Sequence, residues 1–175
     1  MARILGIDPG SRLCGYGVIE AERGKKPVYV ECGVLQLQAT LPLPERLRQL
    51  ALDLREVLGE LRPAEMALES IFHGINAQSA LRLGYARGVV MLLGAEAGLP
   101  LSEYPPATVK RAVAGHGKAT KEDVQRMVRW QCGLHRAPSA DAADALAVAI
   151  CHAYHRHVPA ALRPPRARYH AARGR

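Results

Sequence analysis

The sequence predicts an α/β domain whose sheet starts antiparallel and continues parallel, and three observations carry that expectation. Three short apolar runs near the N-terminus are separated only by turn residues. An amphipathic stretch of helical period then precedes a fourth apolar run, and acidic residues stand at the ends of runs that ought to be buried. Tight turns join antiparallel neighbours, whereas a strand following a crossover helix usually runs parallel to one already in the sheet.

The first run, Arg3 to Asp8, is stopped by Pro9, Gly10 and Ser11 and reads as a buried strand ending in a turn. Cys14 to Glu20 reads as a second strand whose glycines permit close backbone approach. Gly24 to Pro27 supplies a turn, and Val28 to Leu35 is the third strand. From Pro44 to Leu61 the residues Leu47, Leu50, Leu54, Val57, Leu58 and Leu61 recur at helical steps, with charged residues on the other faces, until Pro63 stops the helix. Ala64 to Glu69 is the fourth strand, and a crossover of this kind brings Asp8 and Glu69 to one sheet edge, where α/β proteins bind ligands. Asn76 can cap a second helix over Ala77 to Ala97, which carries Ala80, Gly84 and Gly88 at four-residue steps; the stripe suits packing on the chain's own sheet or contact with a second copy. Leu99 to Tyr104 is the fifth strand, followed by helices over Ala107 to Ala114 and Lys121 to Cys132, the latter capped by Thr120. Pro138 precedes a last helix, 139 to 154. These elements predict one domain over residues 1–157 and a basic, disordered tail over 158–175.

The chain of 175 residues has 24 basic and 16 acidic side chains, a formal net charge of +8. No acidic residue follows Asp144, whereas Arg156, Arg163, Arg166, Arg168, Arg173 and Arg175 do. Such a balance suits a phosphate backbone, through Coulomb attraction and counterion release, though genome composition or solubility also enriches arginine. Cys14, Cys32, Cys132 and Cys151 form no C-x-x-C pair and no secretory signal precedes them, which predicts reduced thiols in a cytoplasmic protein. The longest apolar patch, Val89 to Leu93, is too short to span a bilayer, so no membrane association is expected. His152, His155 and His157 fall at what reads as a frayed helix end, where histidines complement the helix dipole; a zinc site with Cys151 is the lesser alternative.

The chemistry concentrates in four carboxylates. Asp8 ends the run ILGI, Glu69 follows Met66, Ala67 and Leu68, and Asp141 and Asp144 open the stretch ADAADALAVAI. A buried charge without a partner is too costly to keep, and no cationic residue lies beside any of them in sequence. Asp141 and Asp144 share a helix face, where like charges cost about 0.2–0.5 kcal/mol even in water. Local explanations exist, since Asp8 can make an Asx-type turn and Ser139 or Asp141 can cap the last helix. Convergence on divalent cations explains all four together. Two ions about 3.5–4 Å apart can activate water and stabilise the leaving oxygen of a phosphodiester.

The strings GIDPG at Gly6 to Gly10, LESIF at Leu68 to Phe72, ATVK at Ala107 to Lys110 and ADAADALA at Ala140 to Ala147 resemble the bacterial RuvC family of Holliday junction resolvases, in order over about residues 3 to 154. The last string is highly specific, whereas G-I-D-x-G also occurs in actin-like ATPases and sugar kinases. The resemblance implies a ribonuclease H-like α/β fold with a mixed five-stranded sheet. It implies an endonuclease of recombination and repair that uses Mg²⁺, or Mn²⁺, with two ions per site. Its expected partners are four-way junction DNA, a second copy in a homodimer, and the RuvA and RuvB branch-migration complex. Its catalytic and metal-holding carboxylates fall at Asp8, Glu69, Asp141 and Asp144. Phe72, the only Phe, falls where the family places an aromatic near the junction centre, for stacking on an unpaired base; a core role after a strand is the lesser alternative, because His73 and Gly74 follow as loop. Lys110, Lys118 and Lys121 resemble basic residues that hold DNA near the scissile phosphate. The chain departs from the family pattern at His73, Gly74, Ile75 and His116, so cleavage-sequence preference does not carry over.

The implied reaction is phosphodiester hydrolysis leaving a 5′ phosphate and a 3′ hydroxyl. One rival is an actin-like ATPase, suggested by GIDPGS, but the chain is short for two nucleotide-clasping lobes. The other is a non-catalytic junction-binding module.

Overall fold

The computed structural model describes residues 1–10, 12–70 and 77–156. Its elements in chain order are strands β1 (Ala2–Asp8), β2 (Leu13–Ala21) and β3 (Val28–Gln36), helix α1 (Leu43–Leu61), strand β4 (Glu65–Glu69), helix α2 (Ala77–Glu96), strand β5 (Leu101–Tyr104), and helices α3 (Pro106–Ala114), α4 (Lys121–Gln131) and α5 (Ala140–His155). The five strands lie in the order β3-β2-β1-β4-β5. β1 pairs antiparallel with β2 and β2 with β3, while β4 runs parallel to β1 and β5 parallel to β4. The antiparallel start and the parallel continuation are therefore as the turn lengths and the crossover helix predict. The C-terminal ends of β1, β4 and β5 share one edge.

Alternation along the strands divides the core in two. Leu5, Ile7, Val18, Met66 and Leu68 pack with Leu50, Leu54, Val90 and Leu93, so α1 and α2 cover that face. Ile4, Ile19 and Ala67 pack with Val109, Val113, Val124, Val128 and Leu146 on the face covered by α3, α4 and α5. Counting on by two from Ile4 and Ala67 puts Asp8 and Glu69 on the α5 face.

α5 sits unusually close to the sheet, because its buried face is mostly alanine and the sheet beneath is glycine. A Cβ on Gly6 would run into the carbonyl of Ala145, and one on Gly15 into the carbonyl of Asp141. Backbone contact at both points fixes the height and the rotation of the helix, and with them where Asp141 and Asp144 can reach. α4 is set by a capping box: Thr120 Oγ1 accepts from the Asp123 amide at 3.1 Å, and Asp123 Oδ2 accepts from the Thr120 amide at 3.1 Å. This fixes Lys121 as the first helical residue.

Several expectations need correction. Leu99 and Pro100 precede the fifth strand: the Leu99 amide closes the end of α2 by donating to the Gly94 carbonyl at 2.9 Å across a left-handed Gly98, and the Pro100 carbonyl accepts from the Met66 amide at 3.0 Å, so β5 starts at Leu101. Of the small residues on α2, Gly84 and Gly88 meet nothing that an added Cβ would touch, whereas Gly94 lies against Met66; packing on the sheet uses Ala86, Val90, Leu93 and Gly94 instead. Ser139 takes the N-cap position of α5 but makes no side-chain cap bond there. His152 is not at a frayed end: it is 4% exposed, with Nδ1 2.7 Å from the Tyr104 hydroxyl and Nε2 2.7 Å from Glu65 Oε2. Both ring nitrogens are committed to neighbours in β5 and β4. His155 does serve the helix end, its Nδ1 donating to the Cys151 carbonyl at 2.8 Å. Phe72, Asn76, His157 and the tail lie outside the described residues, and so do His73, Gly74 and Ile75.

Candidate active site

Asp8 and Glu69 end adjacent parallel strands, one residue beyond the last rung, Ile7 to Leu68. α5 crosses above them and brings Asp144 from its second turn. Asp8, Glu69 and Asp144 line one cavity of about 210 Å³, together with Pro106, Val109 and Lys110 from α3, Lys121 and Val124 from α4, and Ala147 from α5. Asp141 is half-buried one turn earlier and outside that lining, yet its charge acts on both Asp8 and Asp144. Lys118 is exposed in the loop between α3 and α4 and does not line the cavity.

The electrostatics of the group are strained. Burial, and then the charges of Asp144, Glu69 and Asp141, push Asp8 from its ordinary 3.8 up to about 7. Glu69 is raised by burial and by Asp144, and Asp144 by burial and by Asp141. The compensating cations come from elsewhere in the chain. Lys121 Nζ lies 3.5 Å from Asp144 Oδ2, which holds the lysine's pKa above its ordinary value, and Lys110 also draws Glu69 and Asp144 down. The absence of a cation beside these carboxylates in sequence is thus partly met through space. The lysine carrying it is 76% exposed on a long flexible stem, whereas the Asp144 side chain is 25% exposed. Such a counter-charge is solvent-screened and leaves Asp8 poorly compensated.

The donor set matches hard divalent cations: carboxylate oxygens, partly buried, mutually repelling, around a space large enough for ions and several waters at about 30 Å³ each. Among the described residues, no three acidic, His or Cys side chains are drawn together tightly enough to enclose one ion as they stand. Asp8, Glu69 and Asp144 line this space and Asp141 stands one turn away on α5; these are the four carboxylates that would hold the ions.

One partner of the site carries no obvious sequence signal. Arg87 of α2, 8% exposed, donates to the Glu69 carbonyl and, at 2.5 Å, to Glu103 Oε2. Its only trace in the sequence is a lone cation amid the small and apolar residues from Ala86 to Leu93.

With this geometry in hand, similarity to known proteins is informative. The family model for crossover junction endodeoxyribonuclease RuvC matches residues 4–152. The crossover junction endodeoxyribonuclease RuvC of Halorhodospira halophila is 48% identical over 159 residues, which is 91% of this chain and 94% of that one. The chain belongs to the RuvC family. Among solved RuvC structures, that of Thermus thermophilus superposes with a TM-score of 0.80 at 38% identity, covering 88% of this chain and 95% of the other. The T. thermophilus RuvC in complex with Holliday junction substrate superposes with a TM-score of 0.84 at 37% identity, covering 89% and 95%. The mixed five-stranded sheet is thus that of the RuvC nucleases, the ribonuclease H-like fold the motifs imply.

Proposed function

We propose that this chain resolves four-way DNA junctions by hydrolysing a phosphodiester on each of two symmetry-related strands, as an Mg²⁺-dependent endonuclease of recombination and repair. The observation that carries the reading is the convergence of Asp8, Glu69 and Asp144 on one cavity beside Lys110 and Lys121 in a chain of the RuvC family. Asp8, Glu69, Asp141 and Asp144 would hold two divalent ions. When bound, the ions supply an activated water and stabilisation for the leaving 3′ oxygen. Lys121 and Lys110 then face the scissile phosphate, and the Lys121 ammonium exchanges its contact with Asp144 for one with a phosphate oxygen. Lys118, exposed nearby, holds an adjacent phosphate, and Phe72 stacks on a base at the junction centre. The products are 5′ phosphate and 3′ hydroxyl ends.

A homodimer suits a substrate with two equivalent strands, because a two-fold assembly presents two equal sites. Support comes from the outward face of α2, where Leu81, Tyr85 and Leu92 are exposed around Gly84 and Gly88. No helix among the described residues is long and apolar enough to cross a membrane. A cytoplasmic location is part of the proposal and follows from membership of a bacterial DNA-acting family. Residues 1–157 form the nuclease domain, the basic segment 158–175 is a tail, and the RuvA and RuvB motor delivers the junction. A nicking assay on a synthetic four-way junction tests the reading. Symmetric cuts that require Mg²⁺ support it, whereas ATP turnover without cutting, or binding with intact strands, refutes it.

A further inference from the structure

β4 leaves the sheet where the proposed chemistry sits. Its pairing with β1 stops at Leu68, one residue short of Glu69, and on the other flank the last support is the Ser70 amide donating to the Tyr104 carbonyl at 2.8 Å. Arg87 reaches this strand end from α2, on the sheet face opposite α5. One arm of its guanidinium donates to the Glu69 main-chain carbonyl, and the other is held by Glu103 Oε2 at 2.5 Å.

We infer that Arg87 is a positioning residue for Glu69: its buried guanidinium takes over where the strand ladder ends, ties β4 to β5 through Glu103, and sets the separation between the Glu69 and Asp8 carboxylates. The inference rests on the metal-site reading above. A guanidinium at 8% exposure is costly unless its arms are used, and here one bonds the end of β4 and the other bonds β5 beside it. One rigid plane that gives one arm to the Glu69 carbonyl and the other to the Glu103 carboxylate holds the two strand ends at a set spacing, which the single flexible ammonium of a lysine cannot do. The Glu69 carboxylate follows its main chain, and a displacement on the order of 1 Å at such a site can cost about a hundredfold in rate. Glu103 also cancels much of the positive charge. Arg87 comes last of the three cations that lower the Glu69 pKa, after Lys121 and Lys110.

The test measures Mn²⁺ binding by calorimetry on the full chain without DNA, for Arg87→Met, Arg87→Lys and Glu103→Gln. Loss of a group that orients a metal ligand weakens affinity by about 10–100-fold, and that is the change expected for Arg87→Met. Arg87→Lys recovers part of it, and Glu103→Gln loses less than Arg87→Met. At saturating metal, Arg87→Met lowers kcat while the junction KM is unchanged, because Arg87 comes from α2, on the sheet face opposite the α3, α4 and α5 residues that line the cavity. A merely structural arginine lowers the melting temperature but leaves the Mn²⁺ Kd, measured well below melting, where it was; Arg87→Met with a native circular dichroism spectrum and Kd within twofold overturns the inference. If Arg87→Met does not fold, an unchanged Kd in Arg87→Lys overturns it and a weakened one supports it. Equal Mn²⁺ affinity in the unaltered protein and Asp8→Asn defeats the site reading itself, and this inference with it.

Discussion

Asp8→Asn is expected to stabilise the metal-free protein at neutral and alkaline pH while destroying its proposed activity. The Asp8 carboxyl is held at about 7 against an ordinary 3.8, first by burial and then by three like charges. At ~1.4 kcal/mol per pH unit, a rise from 3.8 to about 7 corresponds to roughly 4 kcal/mol. The folded state binds this proton more tightly than the unfolded chain. The penalty is therefore absent below the ordinary value, grows as pH rises between the two, and is fully present above about 7. Replacing the carboxylate by a neutral amide of the same shape removes it. Roughly 4 kcal/mol is an upper limit, since the lysines relax toward the charge and Glu69 and Asp144 titrate with it. About half of it still corresponds to some 4–8 °C in Tm for a domain of this size. The assay is thermal melting of both proteins in a chelator from pH 4 to pH 8.5. The Asn variant should melt with the unaltered protein at the acid end and several degrees above it at the alkaline end. Added Mn²⁺ should then raise the unaltered protein and leave the variant nearly where it was. An Asn variant that melts at or below the unaltered protein in chelator at pH 8.5 refutes the claim that Asp8 is held ionised at a cost.

Three further outcomes are expected. Glu69→Gln abolishes cutting while junction affinity stays within about tenfold, because loss of a negative charge cannot weaken attraction to phosphate; gel-shift and cleavage assays on one junction check both parts. Lys121→Ala lowers cleavage and reduces the slope of log affinity against log salt by roughly one phosphate contact, and identical slopes take Lys121 off the DNA surface. Gly15→Ala drives a methyl group into the Asp141 carbonyl, so it should destabilise the fold by about 1–3 kcal/mol in urea unfolding and weaken Mn²⁺ binding as α5 lifts.

What could be read from the residues follows from how locally each feature is encoded. Asp8 and Glu69 were legible as neighbours because each ends an apolar run and a crossover helix sets the two strands parallel, whereas the face they take was decided in space, where Ile4 and Ala67 turn toward α5. The close seating of α5 was legible in part, as glycine in β2 and alanine in the helix are complementary signals of backbone approach. Lys121 as the partner of Asp144 was not legible, since the pair is 23 residues apart and depends on how α4 packs on α5. The buried state of His152 was hidden for the same reason: its partners Tyr104 and Glu65 come from two other strands. The stripe at Ala80, Gly84 and Gly88 left open which face of α2 meets the sheet, and neighbours in space decided it. Arg87 was missed because its function attaches to a main-chain carbonyl, which no side-chain motif reports.

The most direct measurement is anomalous diffraction from crystals of the chain soaked in Mn²⁺. Expected are two peaks about 3.5–4 Å apart, with Asp8 on at least one of them and with Glu69 and Asp144 completing the ligand set. Ordered Mn²⁺ bound elsewhere, or none at saturating concentration, contradicts the central claim that these carboxylates exist to hold metal.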